Sequence, residues 1–437
     1  MGSRDLHNKE SVEKIIYMYA LADCNNFFVS CERAFQPNLE GVPVVVLSNN
    51  DGCIVARSNE SKAMGIKMGT PFFQLKNLVD NGLLVVRSSN YSLYGDLSRR
   101  IMSILADAAP KLEIYSIDEA FMVMDGMDVE AIKAVSHEQV HKIRQWVGVP
   151  VSIGIASSKT LAKVANHFAK KHPGYKGVCA IDSEDKIAKA LALTKIGDVW
   201  GIGWRSAPKL EAVGVLTALD FVRRPREWVN SRMGIQGVRT WEELQGSDRV
   251  EHENDEKRKS ICTSRSFADM ITDPDELMLR VSDFAAICAK KLRSEGTVAG
   301  TVGLFIQTNR FREDLSQYES GTTIRLDVPS NSTQEIVSSA LRIFRTVFKQ
   351  GYKYKRAGVI VTDIVDADAV QGVLFDYDES LRERENVISC IMDKVNTADK
   401  NFLRLATQRP GHYSEGIRSQ YKSRLYSTEW DELIEVR

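Results

Sequence analysis

The stretch EIYSIDEAFMVM, Glu113 to Met124, sets two adjacent carboxylates, Asp118 and Glu119, between apolar runs that alternate as β-strands do. A carboxylate in a core is costly unless it is paired, hydrogen-bonded or bound to a cation, so this pair restricts where the two strands can lie. A second apolar run, ALADCNNFF, carries Asp23 to the end of another strand. If the two runs share a sheet, three acids meet at one edge. Clustered carboxylates repel one another, and a group of this kind normally holds a cation. Carboxylate oxygens favour a hard ion such as Mg²⁺. Two such ions about 4 Å apart serve in-line phosphoryl transfer, one at the attacking oxygen and one at the leaving group. The competing reading leaves Asp118 and Glu119 at a hairpin turn, facing water.

Around these runs the chain alternates strands and helices in an α+β order. YMYALADCNNFFVS reads as a strand running into a helix start, and VPVVVLS as a short buried strand. YSLYGDLSRRIMSILADAAP has helical spacing up to Pro110, and VEAIKAVSHEQVHKIRQWVG is a second amphipathic helix. The strand PVSIGIASS, the helix KTLAKVANHFAKK and the strand GVCAI follow. The segment 36–87 interrupts this pattern after the first strand. A helical region, the hydrophilic linker SDRVEHENDEKRK, a second α/β segment and a weakly patterned tail complete the chain. No internal repeat is visible.

At 437 residues and 43% hydrophobic composition the chain can bury several cores. No run of about 18 apolar residues suggests a membrane span, and the polar N-terminus lacks an export signal. Seven cysteines without a CxxC pair fit a reduced, cytoplasmic protein. Net charge is zero, yet it is unevenly spread: 147–181 holds five lysines and no acid, 256–362 holds 17 basic against 12 acidic residues, and 363–400 holds 4 against 10. Basic stretches ahead of an acidic tail suit a polyanion partner, although solvated faces would look the same.

Three further motifs bear on chemistry. HEQVH, His137 to His141, matches the zinc-protease pattern, but helical spacing puts both histidines opposite Ile132, Val135, Val140, Ile143 and Val147, and no third ligand follows. Lys159, Lys163, His167 and Lys170 form one stripe on a helix whose other side is apolar, which suits either solvent or phosphates. VWGIGWRSAPKLEAVGV places Gly201 and Gly203 between helical segments, as in a helix-hairpin-helix that offers backbone N–H groups to a DNA phosphate.

Taken in order, DCNNFF, SNNDGCIVARSNESKAMGIKMGTP, YSIDEAF, SKTLAKVANHFAKK, VWGIG and SICTSRSF resemble the Y-family translesion DNA polymerases. The resemblance runs from about Met18 to the C-terminus and is densest in the first half. It implies a multidomain α+β right-hand polymerase with a ferredoxin-like palm (18–35 and 88–182), inserted fingers (36–87), a helical thumb with the helix-hairpin-helix (183–246), a linker (247–259), an α/β little finger (260–366) and a tail (367–437). Residues 1–17 precede the point where such proteins usually begin and read as a leader. The resemblance further implies that Asp23, Asp118 and Glu119 bind two Mg²⁺ ions, with the backbone carbonyl of Cys24 as another ligand. Asn59, Lys62 and Lys170 fall where the family contacts the triphosphate, Asn59 replacing the tyrosine of many members. Phe28 falls at the steric gate beneath the deoxyribose. Lys163, Gly201, Gly203 and Arg265 are expected at the DNA. Gln371, Leu374 and Phe375, in QGVLF, resemble a sliding-clamp peptide, with Gly372 where leucine is common. Primer-template DNA, a dNTP, the clamp, a UmuD-type partner and a RecA filament are the partners implied, in an error-prone response to DNA damage. A nucleotide cyclase with a similar palm, and a non-catalytic clamp-bound subunit, are the alternatives.

Overall fold

The computed structural model describes residues 18–250, 258–370, 379–398, 402–408 and 418–434. The expected leader 1–17, much of the linker and the QGVLF peptide lie outside the described residues. The chain forms two compact units, one reaching residue 250 and including 419–434, the other running from 258 to 418.

The first unit begins with β1 (Tyr19–Cys24) and α1 (Phe27–Phe35). An inserted unit follows, built on β2 (Val44–Leu47), β3 (Ile54–Arg57), α2 (Asn59–Ala63), α3 (Lys76–Asp80) and β4 (Val85–Ser88). Its strands form a separate sheet in the order β3-β2-β4, with Val45, Leu47, Ile54 and Val86 in a small core of their own. The chain then returns through α4 (Tyr91–Ala106), β5 (Lys111–Ile114), β6 (Glu119–Val123), α5 (Val129–Val147), β7 (Val151–Ala156), α6 (Lys159–Lys171) and β8 (Val178–Ile181). These strands and β1 make a five-stranded sheet in the order β5-β6-β1-β7-β8. The earliest strand therefore lies at the centre, hydrogen-bonded on both sides.

The two-residue period of β1 sorts its side chains between two cores. Ala20, Ala22 and Cys24 pack with α1, α4 and α5, whereas Tyr19 and Leu21 pack with α6. By the same parity Asp23 lies on the α6 face, as does Glu119 at the head of β6, where Phe121 and Val123 join that core. α6 comes unusually close to the sheet because of Gly154 in β7. A Cβ there would stand 2.2 Å from the Ala162 carbonyl oxygen and 2.2 Å from the Asn166 nitrogen. The buried Asn166 uses the proximity, its side-chain amide donating to the carbonyls of Leu21 (3.2 Å) and Ser152 (2.7 Å). That fastens the helix to β1 and β7 together.

Four helices complete this part: α7 (Glu184–Leu193), α8 (Ala207–Glu211), α9 (Ala218–Val222) and α10 (Arg226–Glu243). Their apolar residues continue the α6-side core through Leu191, Leu210, Phe221 and Val238.

The second unit comprises β9 (Ser260–Ile271), α11 (Pro274–Ser294), β10 (Thr297–Thr308), β11 (Glu319–Ser330), α12 (Thr333–Val347) and β12 (Tyr354–Asp366). Its antiparallel sheet runs β11-β10-β12-β9, with α11 and α12 supplying the other half of one core. The weakly patterned tail contains a further helix, α13 (Glu379–Ala398), held to this unit by Arg293 to Asp393 (2.7 Å) and by Ser332 to Glu385 (3.0 Å). The tail does not stay together: residues 419–434 belong to the first unit.

Replacing Gly154 with alanine is expected to destabilise the first unit by about 3 kcal/mol or more, because neither backbone it meets can move without breaking the α6 contacts. Denaturant unfolding of the purified variant checks this, and a loss under about 1 kcal/mol would mean that α6 is not pinned at this point.

Candidate active site

β1 and β6 are antiparallel, with Asp23 directly opposite Glu119. The Cys24 amide donates to the Asp118 carbonyl (2.9 Å), so the β5–β6 hairpin is fastened to the end of β1 just where the acids lie. The hairpin reading of the acidic pair holds in part. Asp118 and Glu119 do occupy a hairpin turn: the Tyr115 and Ser116 amides donate to the Glu119 carbonyl, both at 3.0 Å. The Ser116 hydroxyl accepts from the amides of Asp118 (3.2 Å) and Glu119 (3.1 Å) and donates to Asp118 Oδ1 (2.5 Å). The carboxylates nevertheless do not face open water, since both residues are half-buried.

The lysine stripe explains how that is tolerated. Lys159, Lys163 and Lys170 each reach one carboxylate of the sheet: Glu113 at 2.6 Å, Glu119 at 2.9 Å and Asp23 at 2.5 Å. Lys159 is almost fully buried, so this face of α6 is no solvated surface. Lys163, expected at DNA, also lies over the rings of Tyr115 (4.6 Å) and Trp200 (5.1 Å). Burial pushes Asp23 up to about 7 against the opposing pull of Lys170, with Glu119 adding to the rise. Burial likewise pushes the Cys24 thiol well up, which leaves it protonated and without thiolate ligand character.

Beside the acids opens a cleft of about 310 Å³, lined by Asp23, Cys24, Asn26, Phe27, Phe28, Arg57, Lys62, Met68, Asp118 and Lys170 among others. The inserted unit supplies Arg57 and Lys62. The Ser58 hydroxyl caps α2 by accepting from the Ser61 amide (3.2 Å), which sets Asn59 and Lys62 on its first turn. Lys62 donates to Asn26 Oδ1 (2.5 Å), and Asn26 donates to Asn59 Oδ1 (3.0 Å), tying the insertion to the head of α1. Asn26 has a left-handed backbone (φ 49°), which asparagine tolerates better than most residues. Burial, then Arg57 and Lys170, push Lys62 below its usual value. Three cations thus crowd one side of a cleft whose other side is acidic, an arrangement that an anion and a dication would both relieve. Arg57, Asn26 and Ser116 escape sequence reasoning. A basic residue at the end of the third strand is the only prior signal for Arg57.

The donor set fits a hard dication in kind. Among the described residues no three His, Cys, Asp or Glu side chains already converge on one point. Asp118 is turned toward Ser116, and two ammonium groups stand where a cation would neutralise Asp23 and Glu119. His137 and His141 are both exposed on α5, as their spacing predicts, and no metal cluster includes them among the described residues.

The remaining expected residues are more scattered. Gly201 has φ +87° and faces Thr240, where a Cβ would come within 2.7 Å of the hydroxyl. The Gly203 carbonyl accepts from the amides of Ser206 (2.9 Å) and Ala207 (3.0 Å), which starts α8. Arg265 lies half-buried on β9 of the second unit. Gln371, Leu374 and Phe375 lie outside the described residues.

Comparison with known proteins gives this arrangement a class. Residues 22–167 match the impB/mucB/samB family, and residues 258–374 match the impB/mucB/samB family C-terminal domain. The chain is similar to UmuC of Salmonella typhimurium, 35% identical over 425 residues that cover 96% of this chain and 100% of that protein. It is also similar to ImpB of Salmonella typhimurium, 34% identical over 95% of this chain and 99% of that one. Similarity to DNA polymerase IV of Dehalococcoides mccartyi is 28% over 81% of this chain and 87% of the relative. The crystal structure of DinB from Sulfolobus solfataricus shares the fold, with a TM-score of 0.51 at 19% identity, covering 80% of this chain and 99% of that one. These relatives are Y-family polymerases, a family that uses divalent metal ions. The chain belongs to the impB/mucB/samB family.

The raised Asp23 makes a prediction about stability. A carboxyl whose folded value lies above its unfolded value stabilises the fold in its neutral form, so that contribution is lost as pH rises from about 4 to 7. Without added metal, Asp23→Asn is expected to match wild type near pH 4 and to exceed it by a few kcal/mol above pH 7. Urea unfolding across that range checks it. A variant less stable than wild type at pH 8 would contradict the assigned burial cost.

Proposed function

We propose that this chain copies damaged DNA, joining a primer 3′-hydroxyl to the α-phosphate of an incoming dNTP under template direction and releasing pyrophosphate. It is a DNA-directed DNA polymerase of the translesion class, acting in the response to DNA damage. The observation that carries the chemical reading is the facing of Asp23 and Glu119 on neighbouring strands, beside a cleft ringed by Arg57, Lys62 and Lys170.

In this reading the five-stranded sheet with its helices is the palm, the inserted three-stranded unit the fingers, α7 to α10 the thumb, and the second unit the little finger. Asp23, Asp118 and Glu119, with the Cys24 carbonyl, are the groups to hold two Mg²⁺ ions, which supply activation of the primer hydroxyl and charge neutralisation at the leaving group. Lys62, Lys170 and Arg57, together with Asn59, take the triphosphate oxygens and orient the α-phosphate in line. With dications held by Asp23 and Glu119, Lys170 and Lys163 would no longer be needed as their counter-charges, and their ammonium groups would be available to phosphate. Phe28 lies beneath the sugar and excludes a 2′-hydroxyl. The turn at Gly201 and Gly203 offers backbone N–H groups to the DNA backbone, and Lys163 and Arg265 add charge. Gln371, Leu374 and Phe375 anchor a sliding clamp, and a UmuD-type subunit and a RecA filament act as further partners. No helix among the described residues is long and apolar enough to cross a membrane, and a cytoplasmic site of action fits the reaction.

Asp118→Ala is expected to abolish primer extension while leaving primer-template affinity within about twofold, because the phosphate contacts come from other residues. Extension at the wild-type rate would remove the acids from the reaction. Replacing Leu374 and Phe375 together with alanine should weaken clamp binding by a few kcal/mol without altering unassisted extension. Equal clamp retention by variant and wild type would make QGVLF a mere connector.

A further inference from the structure

Residues 419–434 run back over the first unit and make contacts that no local pattern predicts. The Gln420 amide donates to Asp51 Oδ2 (2.8 Å), and the Tyr421 amide and carbonyl both bond Ser88, at 3.0 and 3.1 Å. The Tyr421 ring stands edge-on to Phe72 at 5.4 Å. Asp51 and Phe72 belong to the inserted unit. A few residues on, Tyr426 stacks on Phe35 of α1 at 5.0 Å with the rings nearly parallel. The segment therefore grips both the insertion and the helix that carries Phe28.

Ser423, between these anchors, enters a buried polar network. Its hydroxyl accepts from the Asn90 side-chain amide (3.0 Å) and donates to Glu32 Oε1 (3.1 Å). Glu32 is fully buried, and the same oxygen accepts from the Tyr94 hydroxyl (2.7 Å). Glu32 follows Phe28 by one helical turn on α1, and Tyr94 stacks on the Phe28 ring at 4.5 Å. Asn90 caps α4, the helix that brings both Tyr94 and Tyr91 against Phe28. A buried carboxylate on α1 and a serine from the far end of the chain thus fix the aromatic floor on which Phe28 rests.

We propose that the 419–434 segment is a positioning strap, in which Ser423, through Glu32 and Tyr94, holds the Phe28 ring at the height that discriminates between deoxyribose and ribose. This rests on the reading of Phe28 as the sugar-facing residue. None of the three network residues lines the cleft. They act by stiffness: a ring with a locked neighbour cannot tilt away from a 2′-hydroxyl, whereas one with a loose neighbour can.

The test uses the full-length chain and the ratio of ribonucleotide to deoxyribonucleotide insertion in primer extension. Tyr94→Phe keeps the stacking ring and removes only the hydroxyl, and Ser423→Ala removes only the strap's donor. Each is expected to raise the ratio roughly three- to tenfold, the order that follows from losing one ordinary hydrogen bond. The double variant should fall short of the product of the two, because both bonds end on one Glu32 oxygen. Ile132→Val, in the same core but outside the network, should lower the melting temperature and leave the ratio unchanged. Phe28→Ala should raise the ratio more than any of them. An unchanged ratio in Tyr94→Phe and Ser423→Ala beside a raised one in Phe28→Ala would overturn the strap alone. No rise in Phe28→Ala would overturn the sugar-facing reading and the strap with it.

Discussion

The ion pairs between α6 and the acidic sheet edge set the charge arrangement on which the candidate site depends. Three carboxylates on β1, β5 and β6 meet three lysines of one helix, with separations between 2.5 and 2.9 Å. Half-buried acids this close together would repel and resist burial if they were unpaired. Paired ions in such surroundings contribute little net stability, since desolvation offsets most of the attraction. The energy that holds α6 down comes instead from its apolar side and from the Asn166 bonds that Gly154 makes room for. The fold thereby maintains a charge arrangement that is not its own optimum, and in the polymerase reading metal and nucleotide complete it.

The cleft is assembled from segments far apart in the chain. Asp23 and Phe28 come from its first described elements, Arg57 and Lys62 from the insertion, Asp118 from the hairpin and Lys170 from α6. Packing at the sheet fixes the acids, and the insertion, besides its own small core, packs Val44, Val46 and Ala56 into the core shared with α1 and meets the head of that helix through Asn26. The strap, with Tyr421 on the insertion and Tyr426 on α1, adds a second link between the same two parts.

Much of this was legible in the sequence where a local period carried it. Apolar alternation ending on Asp23, and broken by Asp118 and Glu119, located the strands and the acids. The HEQVH histidines fell on the exposed face that helical spacing gives them. What escaped were relations with no local period. Helical spacing showed that Lys159, Lys163 and Lys170 share a face but not that the face meets carboxylates. Ser116 orders the acidic turn through hydrogen bonds that any serine in a turn could make. Ser423 reaches Glu32 across most of the chain length, in a segment too short to show a pattern. The division of the tail between the two units was invisible for the same reason.

The central claim is that the facing acids of β1 and β6 are the seat of metal-assisted nucleotidyl transfer. It is tested most directly by crystallography of the protein with primer-template DNA, an incoming nucleotide and Mn²⁺, read by anomalous scattering. The account predicts two peaks about 4 Å apart, bounded by Asp23, Asp118 and Glu119, with Lys163 and Lys170 displaced from their present partners. Peaks elsewhere, or a bound nucleotide with both lysines still seated on Glu119 and Asp23, would contradict it.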